Sequence, residues 1–353
     1  MEKIRIAING FGRIGRQAFK IALTKPELEV VAVNDLTDPA VLAHLLQYDS
    51  NYGVYEKKVS SDARKEKASP LVYSTGSLLV DNKKFPIFAE KDPAMLPWRD
   101  MNVDVVLEST GRFITTELAS GHLKAGAKKV IISAPAKDEG TTPTFVIGVN
   151  HEAYKGEKVI SNASCTTNNI TPVIAILHAK FGVKKMMMST IHSYTAEQNL
   201  VDSPPPGGKS NDLRRARSAA ENIIPTSSGA SVATTEAIPE LKGLLSATAY
   251  RVPTAVGSLS DFTFVLSKKV SKDEVNQTFI EAAKLPQWQN VLQVTNDQIV
   301  SSDIIGNPHS AIVDLGLTQV VDGDLVKVVA WYDNEFGYAN RFVEQAILIG
   351  NSK

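Results

Sequence analysis

Two short stretches of the chain hold residue types suited to covalent or cofactor chemistry. The first is SNASCTTNN, Ser161 to Asn169, which contains the only cysteine of the sequence. A lone cysteine in an apolar core is an inert small hydrophobe, but Cys165 sits among hydroxyls and amides. It reacts as the thiolate, and an ordinary thiol pKa of about 8.5 leaves only a few per cent ionised at neutral pH. A helix N-terminus or a neighbouring histidine raises that fraction. The apolar run NNITPVIAILHAKFG reads as a helix, and Pro172 is best tolerated in a first turn, so the helix start falls close to Cys165.

Of the six histidines, His44, His122 and His178 fall on helix-like segments, where a surface or satisfied half-buried role suits them. His151 and His309 sit in polar loops. His192 differs: it follows the apolar strand-like run MMMSTI and precedes a polar turn, a strand-end position common for catalytic groups on a rigid scaffold. Spacing alone does not prove that it partners Cys165.

The second stretch is INGFGRIGR, with Gly10, Gly12 and Gly15 in GxGxxG spacing between a strand candidate and a helix candidate. That spacing serves a tight turn, close backbone approach to a pyrophosphate, and helix–sheet packing, with the pyrophosphate at the positive helix end. Asp35 follows Gly15 by roughly 20 residues and ends VVAVND, where the fingerprint places a ribose ligand. Its carboxylate accepts from a 2′-hydroxyl and repels a 2′-phosphate, so NAD is favoured over NADP. Lys91 or Arg13 nearby could soften that preference.

Anion-binding candidates are Arg214, Arg215 and Arg217 in DLRRAR and Arg251 in YRVP; a solvated helix face is the plainer reading of the arginine run. PTSSGAS, with Ser227, Ser228 and Gly229, suits an anion nest or an ordinary helix cap. GGKS imitates the end of a P-loop, but Ser203 stands where that motif needs glycine. No His/Cys/Asp/Glu cluster has metal spacing, so no metal is expected.

These groups need elements to position them. The first half alternates β-branched runs (IRIAI, EVVAV, VDVVLE, KKVIIS) with helix-like segments, which predicts a parallel sheet covered by helices. After Cys165 come longer strands with few helices: KKMMMSTIHSY, SATAYRVP, SLSDFTFVLS and LVKVVAWYD. They predict a second domain on a more antiparallel sheet with helices on one face. The expected boundaries are 1–164, 165–332 and a C-terminal helix over 333–353 that returns to the first domain. A length of 353 residues suits two domains. DSPPPGGKSN, Asp202 to Asn211, reads as an irregular loop.

Lys plus Arg and Asp plus Glu balance at 38 each, so no overall field draws nucleic acid or an acidic membrane surface. No run approaches the roughly 20 apolar residues that cross a bilayer. One cysteine forms no internal disulfide, and MEKIRIAING runs into a strand without a long apolar signal region, so a cytoplasmic protein is expected.

INGFGRIGR, SNASCTTN, HSYT, DLRRAR, RVPT and WYDNEFGY occur in this order across almost the whole chain. Together they resemble the phosphorylating glyceraldehyde-3-phosphate dehydrogenase family. The resemblance implies an α/β chain: a Rossmann dinucleotide-binding domain, an α+β catalytic domain with a mixed, largely antiparallel sheet, and a homotetramer. It places the nucleophile at Cys165 and the base at His192. For NAD it implies Gly10, Gly12, Arg13, Ile14, Gly15, Asp35, Lys91, Ser133 and Asn334, the last on the nicotinamide carboxamide. Ser164, Thr166, Ser228 and Gly229 match one phosphate site, and Thr195, Arg215 and Arg251 match substrate-phosphate and anion contacts. The implied substrates are glyceraldehyde 3-phosphate and inorganic phosphate.

The chain also departs from the family pattern. Asn169 stands where a second cysteine is frequent, Ser228 replaces a threonine, and Glu197 and Asn199 stand where Asp and Arg are common. Lys91 occupies a frequent arginine position, and the proline-rich loop resembles an insertion of about five residues. The nearest rival is erythrose-4-phosphate dehydrogenase, which NPHSAIVD resembles; Thr195 in HSYT favours the first family. A non-catalytic dinucleotide- or nucleic-acid-binding protein on the same fold is the more distant rival.

Overall fold

The computed structural model describes residues 2–67, 72–138, 140–204 and 212–352. Most of the proline-rich loop, residues 205–211, lies outside them. The chain clusters into two compact units, Met1–Phe145 with Ala153–Ala163 and Ala339–Lys353, and Val146–Glu152 with Ser164–Tyr338. The division falls inside the last helix, Phe336–Asn351.

The first unit is built on an eight-stranded sheet. Its spatial order is Val159–Ser161, Lys129–Ile132, Val105–Glu108, Ile4–Asn9, Leu28–Asn34, Lys83–Phe88, Gly76–Val80 and Val59–Asp62. The strands from Val159–Ser161 to Lys83–Phe88 are parallel, and Gly76–Val80 runs antiparallel to both of its neighbours, Lys83–Phe88 and Val59–Asp62. The parallel strands are short β-branched runs buried along nearly their whole length, as expected of strands covered on both faces. Chain order reverses between Ile4–Asn9 and Val105–Glu108, the switch point where doubly wound sheets open a crevice at their carboxyl ends.

The turn leaving Ile4–Asn9 tolerates only glycine at two positions. Gly10 has φ +90°, and a Cβ on it would lie 2.8 Å from the Thr110 backbone nitrogen. A Cβ on Gly15 would lie 2.0 Å from the Gly10 carbonyl oxygen, so the helix could not approach the strand so closely.

The second unit holds a mixed sheet in the order Ile224–Ser227, Leu245–Val252, Val183–Ser193, Ser258–Leu266, Leu325–Tyr332, Ala311–Asp314 and Leu292–Thr295. Val183–Ser193 pairs parallel with Leu245–Val252, and Ala311–Asp314 pairs parallel with Leu292–Thr295; the other neighbours are antiparallel. Helix Cys165–Phe181 packs on three of the central strands, Ser258–Leu266, Leu325–Tyr332 and Ala311–Asp314.

One sequence reading needs correction here. Pro172 is not in a first turn: it lies about two turns inside the helix, and the Ser164 cap, not the proline, fixes where the helix begins. This half also holds a further long helix, Lys272–Ala282, opened by a capping box between Ser271 and Glu274. The S-x-x-E signal for it was present in the sequence.

Candidate active site

In the first unit, helix Arg13–Ala22 opens at Gly12, which offers no side chain to cap the first-turn N–H groups of Arg13, Ile14 and Gly15. Such a turn suits an anion, because helix-end N–H groups and the macrodipole favour negative charge. Asp35 braces the same turn: Oδ2 accepts from Phe11 N at 2.7 Å and Oδ1 from Thr37 N at 2.9 Å. The Arg13 guanidinium lies 2.6 Å from Asp49, so its side chain is engaged there. Ser133 follows strand Lys129–Ile132, its N–H bonded to the Glu108 carbonyl at 2.8 Å, and Lys91 is exposed just past strand Lys83–Phe88.

Behind this crevice lies a buried polar network that sequence reading missed. Trp98 Nε1 donates to His122 Nδ1 at 2.9 Å, which fixes the proton on Nε2, and that proton goes to Glu108 Oε2 at 3.0 Å. Asn9 Nδ2 donates to the same oxygen at 2.5 Å, and Thr110 N and Oγ1 donate to Oε1. His122, read as a surface or half-buried residue, is fully buried. Its helix position was legible, but partners drawn from other strands and loops were not.

In the second unit, Cys165 is the first residue of helix Cys165–Phe181, with Ser164 as N-cap: Ser164 Oγ accepts from Thr167 N at 3.0 Å. His192 lies near the end of strand Val183–Ser193, and its Nε2 is 3.4 Å from Cys165 Sγ. Nδ1 lies 2.7 Å from the Ser193 carbonyl oxygen and 2.6 Å from Arg251 Nη1. The carbonyl only accepts and the guanidinium only donates, so each partner selects a different tautomer. With Nδ1–H on the Ser193 carbonyl, Nε2 faces the thiol as a lone pair. Arg251 stands directly across from His192 in the strand register.

Burial pushes the Cys165 thiol up, against the opposing pull of the Arg251 charge and Thr166 hydrogen bonds. Burial, reinforced by Arg251, pushes His192 down to about 3, against the Ser193 carbonyl. Both shifts favour a neutral thiol beside a neutral imidazole.

Tyr332 holds this cluster in place, a role its motif did not reveal. Its hydroxyl lies 3.0 Å from Thr166 Oγ1 and 2.9 Å from Thr190 Oγ1, and its ring stands edge-on to His192 with centroids 5.9 Å apart. The Thr166 hydroxyl is thereby engaged within the fold. Thr195 is half-buried past the strand end, its N–H on Gln198 Oε1 at 3.1 Å.

The arginines of DLRRAR lie in a short 3-10 turn, Leu213–Ala216, and its end, each beside a carboxylate: Arg214 by Asp212, Arg215 by Glu197 and Arg217 by Asp202. Ser228 and Gly229 precede helix Ala230–Ala237, where Ser228 Oγ accepts from Ala230 N at 3.3 Å. Asn334 Oδ1 accepts from Ser193 Oγ, Ser258 Oγ and Gly257 N at 3.0–3.1 Å. Three donors on one oxygen fix the amide orientation and leave Nδ2 as the donor for a ligand carbonyl. No group of His, Cys, Asp and Glu able to hold a metal occurs among the described residues.

The model of the glyceraldehyde 3-phosphate dehydrogenase NAD binding domain matches residues 4–116, and that of the C-terminal domain matches residues 164–334. The glyceraldehyde-3-phosphate dehydrogenase of Borreliella burgdorferi is 48% identical over 350 residues, covering 97% of this chain and 98% of the relative. The chain belongs to the glyceraldehyde-3-phosphate dehydrogenase family. Similar proteins of that name occur in Bacillus subtilis, 48% identical, and Haloarcula vallismortis, 47% identical, each with 98% of both chains covered. Membership makes the protein an NAD-dependent oxidoreductase, and both family domains coincide with the halves that hold the glycine turn and the Cys165–His192 pair.

Proposed function

We propose that the protein oxidises glyceraldehyde 3-phosphate, with NAD and inorganic phosphate, to 1,3-bisphosphoglycerate through a thioester on Cys165, the glycolytic reaction. The observation that carries this reading is the 3.4 Å approach of His192 Nε2 to Cys165 Sγ at a helix N-terminus. His192 takes the thiol proton on Nε2, with Nδ1–H on the Ser193 carbonyl, and the thiolate adds to the aldehyde carbon. The oxyanion is met by the Cys165 N–H, in a helix turn without a preceding carbonyl partner, and by the protonated His192, which returns its proton to give a thiohemiacetal.

NAD, when bound, supplies the hydride acceptor. Residues of each unit taken by itself fit it: in the first, the Gly12 turn and the Gly10 and Gly15 cradle suit a pyrophosphate and Asp35 a ribose; in the second, Asn334 Nδ2 suits a carboxamide oxygen. As hydride leaves the bound carbon, His192 removes the hydroxyl proton, and a thioester remains. Phosphate then attacks the thioester carbonyl, expelling the Cys165 thiolate and releasing an acyl phosphate. Thr195, Arg215 and Arg251 on one side, and Ser164, Thr166, Ser228 and Gly229 on the other, are the proposed anion contacts.

A steady-state assay of both NAD and NADP against glyceraldehyde 3-phosphate and erythrose 4-phosphate, with phosphate varied, tests this reading. Phosphate-dependent NADH formation with the first aldehyde is expected. Preference for erythrose 4-phosphate would reassign the substrate, and no NADH with either would return the chain to a non-catalytic binding role.

The assembly proposed is a homotetramer. Leu200, Val201, Leu213 and Ile223 are each at least 66% exposed, and exposed apolar groups of this kind favour burial against another copy. Light scattering after gel filtration reads the subunit count. A cytoplasmic location is proposed with the glycolytic role; among the described residues no helix is long and apolar enough to cross a membrane.

A further inference from the structure

Arg215 is the best-built anion receptor among the described arginines of DLRRAR. Its Nε donates to Thr226 Oγ1 at 3.0 Å, and the Thr226 hydroxyl spends its own proton on Asp212 Oδ2 at 2.5 Å, so the threonine lone pair faces the guanidinium. Thr226 is buried, with 4% exposure. The inner edge of Arg215 is therefore anchored, while the outer Nη1 lies 2.6 Å from Glu197 Oε2. The Glu197 side chain is 65% exposed and that of Arg215 26%. Arg251, which contacts His192, feels the charges of both Glu197 and Arg215, so the pair stands within electrostatic reach of the arginine beside the reactive histidine.

We propose that Glu197 is an internal competitor for phosphate: its carboxylate occupies the outer edge of Arg215 and must be displaced when a phosphate group binds there. The proposal rests on the phosphate-dependent reaction proposed above. A carboxylate and a phosphate present similar paired oxygens to a guanidinium edge, so both suit the same donors. An exposed ion pair is weak enough to be exchanged without trapping the site. Glu197 thereby sets how much phosphate the reaction requires, and also discourages weaker anions from resting on Arg215.

The test is steady-state kinetics of the intact protein with Glu197→Gln and Glu197→Asp, varying inorganic phosphate and glyceraldehyde 3-phosphate separately. Displacing an exposed pair corresponds to about a two- to fivefold change in anion affinity. Glu197→Gln should lower KM for the phosphate-bearing species that uses Arg215 by that factor and make sulfate a stronger competitive inhibitor. Glu197→Asp, with a shorter reach, should give a smaller fall. A fall in KM for inorganic phosphate assigns Arg215 to the attacking phosphate; a fall confined to the aldehyde assigns it to the substrate's own phosphate. An unchanged or raised KM for both, with unchanged sulfate inhibition, would overturn the proposal. Absence of any phosphate dependence in the unmodified protein would instead overturn the reaction itself.

Discussion

His122 and His192 are both buried, yet their surroundings differ in kind. Trp98 donates to His122 Nδ1 and Glu108 accepts from Nε2, while Asn9 Nδ2, itself bonded to Glu108, lies 3.2 Å from the same Nε2, so one tautomer serves both the Trp98 and the Glu108 contacts. His192 has a donor and an acceptor competing for Nδ1, and a thiol rather than a carboxylate on Nε2. A satisfied histidine rigidifies a fold; one with unsettled protons can move them. The difference teaches that burial does not separate structural from reactive histidines, whereas hydrogen-bond bookkeeping does.

Replacing residues on the two sides should break that contrast by very different amounts. Cys165→Ser removes the thiolate, and phosphate-dependent NADH formation should fall on the order of 10⁴-fold or more; near-normal turnover would sink the assignment of the nucleophile. His192→Asn should lower kcat on the order of 10²- to 10⁴-fold and shift the pH profile of iodoacetamide alkylation at Cys165. A profile that does not move would separate the two residues.

His192 should also leave a mark on stability. Its folded pKa of about 3 lies below the ordinary 6.5, so the unfolded chain binds a proton that the folded chain refuses. The resulting stability is complete above about 6.5 and is lost as pH falls from there toward about 3. Denaturant melts across that window should show a shallower acid decline in His192→Asn; parallel curves would argue that the ring is not buried neutral.

Asp35→Ala removes an acceptor from both the turn and the ribose, so KM for NAD should rise about tenfold and discrimination against NADP should narrow; an unchanged ratio would remove Asp35 from cofactor choice. The smallest effect on turnover is expected at the satisfied histidine. His122→Leu orphans Trp98 Nε1 and an oxygen of Glu108, and should cost about 1–3 kcal/mol of stability with the least change in kcat of the four. A loss of kcat comparable to His192→Asn would erase the distinction.

What the sequence made legible follows from how local each signal is. The glycine turn and Asp35 lie on consecutive strand–helix–strand elements, so their spacing carries their geometry. Cys165 was recognisable because hydroxyls and amides replaced apolar neighbours at a helix start, and His192 because it ended a strand. Tyr332 bracing Thr166 and Thr190 was not legible, since its partners are 142 and 166 residues away. Nor was the network of Asn9, Trp98, Glu108 and His122, which two strands, a loop and a helix assemble. The arginines were visible as a run, but only folding shows that each meets a different carboxylate.

The strand pairing beneath the reactive cluster has one more consequence. Strands Val183–Ser193 and Leu245–Val252 align so that His192 and Arg251 face each other as partners, and a slip of one residue would turn one strand's side chains to the opposite face. A misaligned sheet could keep its strands and still carry no working histidine. Enzymatic turnover in a refolded or mutated sample therefore serves as a proofreading signal: it counts only those molecules whose central strands have come to rest in step.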